Sequence, residues 1–135
     1  MPLTWTVSHP TQLVVAVCKG DVSATDVLKY LDEIDRAGAM PYRKVFDLTG
    51  VVGVIPAEDV RLIGMRVVAL SGAKPTGPLA IVVASDAIEA LSRVFEVTAN
   101  TKRPLQIFRD LHAARAWLDN VAPVLPLTPK QAVPD

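Results

Sequence analysis

Two hydrophobic patterns alternate along the chain: short apolar runs rich in β-branched residues, and longer segments whose apolar residues recur at helical spacing. The first pattern predicts strands and the second predicts amphipathic helices. Pro10 separates the first two apolar runs and excludes a helix across them. The predicted strands are 4–8, 13–19, 43–49, 79–85 and 104–108. The predicted helices run from Ser23 to about Gly38, from Pro56 to about Gly72, from Asp86 to between Phe95 and Asn100, and from Asp110 to about Asn120, with Ser23, Asp86 and Asp110 as their predicted N-terminal caps.

The order of these elements is ββαβαβαβα, which predicts a single α/β domain. Strands separated by helices require right-handed crossovers and pair in parallel, whereas the opening hairpin adds one antiparallel strand at an edge. We therefore expect a mixed, mostly parallel five-stranded sheet with about four helices, covering residues 1–121. Residues 122–135 hold four of the eleven prolines and are predicted to form an irregular C-terminal tail.

Composition narrows the function classes. The 135 residues suffice for one core, and 14 basic against 14 acidic side chains give no net charge, which argues against a nucleic-acid partner. The single cysteine, Cys18, excludes an intramolecular disulfide and favours a reducing compartment. We find neither a secretory signal pattern nor an apolar run near the ~20 residues of a membrane span, so a cytoplasmic location is expected.

Catalytic and metal-binding patterns are missing from the sequence. His9 and His112 are far apart, no nucleophile elbow, phosphate-binding loop or zinc-helix motif occurs, and no residues have metal-ligand spacing. Cys18 lies in a predicted strand, where we expect a buried and inert thiol. The chain is expected to be non-enzymatic, with no catalytic residue, no metal and no cofactor.

The segment after the third strand is the first candidate binding site. Gly50 and Gly53 alternate with apolar residues, so a turn explains them better than a phosphate cradle does. The segment nevertheless follows the carboxyl end of a central strand, where open α/β sheets bind small molecules. A pocket there would be apolar, with arginines at its rim; its predicted residues are Val51, Val52, Val54, Ile55, Leu62 and Met65, with Arg61 and Arg66.

The second helix is the other candidate, because both of its sides are apolar. Helical spacing points Val60, Ile63, Gly64, Val67 and Leu70 towards the sheet, with Gly64 permitting a close approach. The opposite side carries Leu62, Met65, Val68 and Ala69, flanked by the two arginines. A second apolar side implies burial under the tail or core, under a protein partner, or under a ligand or membrane.

Two segments resemble known proteins. The segment from Asp47 to Gly64 resembles the strand, loop and helix of STAS domains, in which Asp47, Thr49, Val51 and Ile55 fit the pattern. The segment 107–118 is similar to the ending of SpoIIAA-like proteins in the combined STAS and CRAL-TRIO lipid-transfer superfamily. Signalling members carry a phosphorylatable serine at the helix start, whereas residues 56–59 here hold no hydroxyl and Glu58 places a permanent carboxylate there.

The resemblance implies a non-catalytic, regulatory module that acts by protein–protein interaction, with another protein or with a second copy in a homodimer. The alternative is a carrier or sensor of a small hydrophobic ligand, such as a lipid or acyl group, with peripheral membrane contact as a variant of it. Nothing specific in the sequence supports an enzyme.

Overall fold

The computed structural model describes residues 2–72, 76–99 and 103–121. The order ββαβαβαβα is confirmed. The strands are β1 (Leu3–Ser8), β2 (Leu13–Gly20), β3 (Arg43–Val51), β4 (Leu79–Val82) and β5 (Leu105–Phe108), and the helices are α1 (Ala24–Arg36), α2 (Ala57–Ser71), α3 (Asp86–Ala99) and α4 (Leu111–Asn120). The predicted tail 122–135 and the middle of the predicted turn after α2, residues 73–75, lie outside the described residues.

The five strands form one sheet in the order β1-β2-β3-β4-β5. The edge strand β1 is antiparallel to β2, and all other neighbours are parallel, as predicted. Because each crossover is to the next strand in the same direction, right-handed connections place α1, α2 and α3 on one face of the sheet. The last helix, α4, covers the other face.

Alternation along the strands divides the apolar side chains between these two faces. Lys44, Phe46 and Leu48 of β3 face the three-helix side, while Val45 packs with Ala114 and Leu118 of α4. β4 is buried along its whole length, as the continuous apolar run predicts for a strand that is covered on both faces.

Side-chain caps fix the starts of three helices. Ser23 forms a capping box with Asp26, and Asp110 accepts from the backbone N–H of Ala113, so both predicted caps are confirmed. The predicted cap at Asp86 is wrong: Asp86 is already helical, and the Ser85 hydroxyl accepts from the N–H of Ile88 at 3.2 Å. Serine and aspartate are both good caps, so the sequence alone left the position open by one residue.

The end of β3 also differs from the prediction. Gly50 and Val51, predicted to begin the loop, remain in the strand because they pair with Lys19 and Gly20 after an irregularity in β2. The loop therefore begins at Val52. Within the described residues, no helix is long and apolar enough to cross a membrane.

Candidate functional site

Helix α2 is the middle one of the three helices on its face of the sheet, and it packs against α1 and α3. Its Gly64 allows the closest approach, but to α3 and not to the sheet as predicted: a Cβ at this position would lie 2.8 Å from Cγ2 of Thr98. The flanking helices thus pack on both sides of α2, and a pocket remains between α2 and the sheet.

The side of α2 that faces away from the sheet carries large exposed apolar side chains. Leu62 is 51% exposed, Met65 61% and Val68 46%, and we call these three residues the outer face of α2. On the inner side, Val60, Ile63, Gly64 and Val67 are buried and Leu70 is partly buried, so the predicted two-sided pattern of this helix is confirmed.

The loop before α2 splits into an outward and an inward part. Val52 and Val54 are 66% and 80% exposed, whereas Val51 packs against the core and Ile55 points inward. Gly53 takes a positive φ of 88°, a conformation that favours glycine. The loop therefore presents two valines to the surface next to the start of α2.

Charged side chains surround the outer face. Arg66 is tied to Asp32 of α1 by a 2.6 Å ion pair, so its guanidinium is already partnered. Arg61 is exposed. Glu58 is also exposed and lies in the first turn of α2, where a carboxylate stabilises the helix through its dipole.

A pocket of about 100 Å³ lies between α2 and the sheet. Val60, Ile63 and Val67 of α2 cover it, residues of β3 and β4 form its floor, and α1 and α3 close its sides. Of the predicted binding residues, only Ile55 lines it; Leu62 and Met65, predicted to share such a pocket, are on the opposite side of the helix. The helical phase that exposes these two side chains also excludes them from the space beneath.

One end of this apolar pocket is basic. Lys44 of β3, which is only 3% exposed, and Arg103, which comes just before β5, both line it. The Lys44 ammonium donates to the backbone carbonyls of Met40 and Tyr42. Nη1 of Arg103 donates to the carbonyl of Gly77 at 3.3 Å, while its Nε is buried and has no hydrogen-bond partner among the described residues.

Burial perturbs the titration of these groups. Burial and the neighbouring Arg103 guanidinium lower the pKa of Lys44 well below its usual value. Burial lowers the pKa of Arg103 to about 10, so this side chain remains charged at neutral pH. Burial raises the pKa of Tyr30, which also lines the pocket, although the Arg103 guanidinium acts in the opposite direction.

Cys18 is fully buried in β2, as predicted. Burial and the Asp47 and Asp26 carboxylates raise its pKa to about 12, so the reactive thiolate form is suppressed at neutral pH. Its lack of reactivity stays a prediction, which slow labelling by a thiol reagent in native buffer would support.

Comparison with known proteins identifies the architecture. Neither a family model nor a curated protein matches the chain. A solved structure does: an uncharacterised protein of the DUF3478 family from Shewanella loihica PV-4, described as having a SpoIIAA-like fold, with a TM-score of 0.58, 18% identity, and coverage of 86% of this chain and 93% of that one. The fold is SpoIIAA-like. The resemblance inferred from the two sequence segments is thus confirmed at the level of the fold.

Within this SpoIIAA-like fold, the residues behind the resemblance have identifiable local roles. Asp47 accepts hydrogen bonds from both the backbone N–H and the hydroxyl of Thr49, at 2.9 and 2.7 Å, near the end of β3. Helix α2 begins after Pro56 without a side-chain cap. These positions shape the strand end and the helix start, and only Ile55 reaches the pocket.

Groups suited to catalysis are dispersed in the described part of the SpoIIAA-like domain. His9 is near β1, where its Nδ1 lies 2.7 Å from the Tyr42 hydroxyl, and His112 is exposed in the first turn of α4. Among the described residues, no three His, Cys, Asp or Glu side chains form a group that would hold a metal ion. The pocket and the outer face of α2 are the candidate binding surfaces of the described residues.

Proposed function

We propose that the chain is a non-catalytic, regulatory binding module, and that a protein partner docks on the outer face of α2. The observation that supports this proposal is the exposure of Leu62, Met65 and Val68 on a helix whose inner side is buried against the rest of the domain. Covering Met65, which is 61% exposed, would remove that apolar surface from water and contribute about 1 kcal/mol to binding.

The surroundings of the outer face fit a protein interface. An apolar centre with a polar and arginine-containing rim is the usual arrangement of such interfaces. Val52 and Val54 extend the apolar surface at the start of the helix, and Arg61 supplies an exposed charge. The ion pair between Arg66 and Asp32 holds one side of the rim in place.

A photo-crosslinking amino acid at Met65 tests this proposal, with the same amino acid at Leu111 as the matched control. Leu111 is 42% exposed and lies on α4, across the sheet. We expect capture of a defined protein, or of a second copy of this chain, from position 65 only. The purified partner should then bind the Met65→Asp variant about tenfold more weakly than the Leu111→Asp variant.

Two results would contradict the interface. Equal capture from positions 65 and 111 would mean that the outer face has no preferred partner. A loss of thermal stability in Met65→Asp, without any change in partner binding, would mean that this face packs against another part of the chain.

The pocket beneath α2 favours a second candidate function, the carriage or sensing of a small apolar ligand. Its walls are mostly apolar, with basic groups at one end, and a volume of about 100 Å³ suits a short hydrocarbon chain. Native mass spectrometry of the protein mixed with hexanol should show a one-to-one complex. The Ile63→Trp variant, which fills the pocket from above, should lose it.

A further inference from the structure

The basic end of the pocket is the feature that an apolar ligand alone leaves unexplained. None of the residues that line the pocket is acidic, and neither Lys44 nor Arg103 forms an ion pair with a described carboxylate. Buried charges in proteins are normally paired, because removal from water is costly without a counter-charge. Arg103 is a partly buried charge whose Nε is fully shielded from solvent.

The hydrogen bonds of Arg103 show how much of its capacity is free. A guanidinium carries five N–H donors in one plane, and among the described residues this one makes a single hydrogen bond, to the carbonyl of Gly77. Its Nε is shielded from solvent and without a partner. The two oxygens of a planar carboxylate would accept from two of the guanidinium N–H groups, which would leave fewer of these donors without a partner.

The location of Arg103 is fixed by close backbone packing. Gly77, whose carbonyl holds the guanidinium, lies against the backbone of Pro41 and Tyr42; a Cβ at Gly77 would come within 2.3 Å of the Pro41 carbonyl oxygen. The carbonyls of Met40 and Tyr42 in the same turn hold the Lys44 ammonium. The two basic groups are therefore held at one end of the pocket by the same pair of turns.

The pocket changes from polar to apolar along β3. Lys44, Phe46 and Leu48 succeed one another on the same face of this strand, and Leu48 is ~13 Å from Lys44 at the normal rise of a strand. Ile55 adds to the apolar end. A ligand that matches this gradient has an anionic group at one end and a short hydrocarbon body.

We propose that the pocket binds a small monocarboxylate, with the carboxylate against Arg103 and Lys44 and the hydrocarbon body beneath α2. This proposal rests on the second candidate function and specifies the chemical class of its ligand. A carboxylate fits better than a phosphate ester, because it matches one guanidinium in a planar pair and carries less charge into an apolar pocket.

Hexanoate and hexanol are the matched probes, because they share a hydrocarbon chain and differ in the charged group. Calorimetric titration of the full chain at neutral pH should give a dissociation constant for hexanoate at least about tenfold lower than for hexanol. In the Arg103→Gln variant, the affinity for hexanoate should fall by about the same factor, while the affinity for hexanol stays unchanged. Arg115→Gln is the control substitution, on the exposed side of α4.

Each part of the proposal has its own failure. If hexanol binds and hexanoate binds no more tightly, the apolar pocket function stands and the carboxylate assignment is overturned. If neither probe binds the full chain, both fall together. Equal hexanoate affinity in Arg103→Gln and in the wild-type chain would also overturn the role of Arg103.

A measurement on the wild-type chain covers the case in which Arg103→Gln does not fold. Nuclear Overhauser contacts from the terminal methyl of bound hexanoate should reach Leu48 and Ile55, and those from the methylene next to the carboxylate should reach the Arg103 end. The reverse orientation, or contacts confined to the protein surface, would contradict the proposal.

Discussion

Lys44 occupies a position at which the alternation of β3 places an inward-facing side chain. Its neighbours on the same face, Phe46 and Leu48, are apolar, and its aliphatic stem continues their surface. The ammonium reaches the carbonyls of Met40 and Tyr42 at the end of the strand. Burial of this group therefore affects stability through both its hydrogen bonds and its proton.

We expect Lys44→Met to change how stability depends on pH. Between the lowered pKa of folded Lys44 and its usual value of 10.5, the unfolded chain binds a proton that the folded chain has released. The unfolding free energy contributed by Lys44 therefore rises with pH in this window, by up to about 1.4 kcal/mol per pH unit. The unfolding free energy of Lys44→Met minus that of the wild type should accordingly fall as pH rises.

Urea unfolding from about pH 6 to about pH 10 measures this difference. The contributions of Cys18 and Tyr30 occur in both proteins and largely cancel. Lys29→Met, at an exposed position of α1, is the matched control. A difference for Lys44→Met that stays constant with pH would show that Lys44 keeps its proton in the folded chain.

At the residue scale, burial followed from sequence more readily than pairing did. The apolar run around Cys18 predicted its burial correctly, because a strand of small and β-branched residues leaves little room for solvent. No sequence pattern distinguishes Lys44 or Arg103, because a lone basic residue in a strand or next to one is normally exposed. Only the fold brings them together, from positions that lie far apart in the chain.

The contact between α2 and α3 depends on Gly64. A glycine inside a helix costs about 1 kcal/mol relative to alanine, so its presence here needs a reason in packing. The reason is the short distance to Thr98, whose hydroxyl also donates to the carbonyl of Val94 at 2.7 Å and is thereby held in place.

Gly64→Ala is expected to destabilise the protein by about 1 kcal/mol despite the gain in helix propensity, because the new methyl group overlaps Cγ2 of Thr98. Thr98→Ser removes that Cγ2 and keeps the hydroxyl, so the double variant should recover part of the loss. Gly72→Ala at the end of α2 is the control, since its nearest neighbour would be 3.6 Å away. Thermal unfolding of the wild type, the three single variants and the double variant measures these effects, and additive effects of Gly64→Ala and Thr98→Ser would contradict the contact.

At the scale of elements, periodicity and cap chemistry predicted the order of strands and helices, and two of the three named caps. The errors lie at boundaries. The predicted end of β3 was wrong because the pairing of Gly50 and Val51 with β2 depends on an irregularity that no local pattern announces. The direction of the Gly64 contact was wrong because a sequence shows that a glycine permits an approach, but not by which neighbour.

The molecule as a whole has two unequal faces. Three helices and the pocket lie on one face of the sheet, and α4 alone packs on the other, where Leu118 and Ala114 contact Val45, Ala80 and Val82. A side chain beside a pocket has fewer neighbours to lose than one in a filled core.

Leu118→Ala should therefore cost more stability than Leu79→Ala, although both leucines are buried. We expect about 3–5 kcal/mol at Leu118 and about 2–3 kcal/mol at Leu79, which lines the pocket. Alanine favours helices over strands, so propensity alone predicts the opposite order, with the larger loss at Leu79 in β4. The comparison therefore separates the effect of packing from that of propensity. Chemical denaturation decides it, and an equal or greater loss at Leu79 would mean that the pocket side is as densely packed as the α4 side.

The sequence predicted an apolar binding region around α2 but not the pocket that the structure contains. Hydrophobic spacing identified the inner and outer sides of the helix, whereas the height of α2 above the sheet depends on how α1 and α3 support it. The charged end of the pocket depends on the meeting of two distant turns, at Met40–Tyr42 and Gly77. Both the height of α2 above the sheet and the approach of the two turns are properties of the assembled fold.

The sequential strand order also determines what an emerging chain exposes during synthesis. Each strand from β2 to β5 pairs with the strand that precedes it in the chain. Each crossover helix then covers the same face of the sheet once that helix has left the ribosome. The opposite face of the sheet, which includes Val45, Ala80 and Val82, is covered by α4. This helix follows all five strands in the chain, so it is made after them. A nascent chain stalled before residue 111 would thus expose one apolar face of the sheet, and such a surface is a natural substrate for a chaperone.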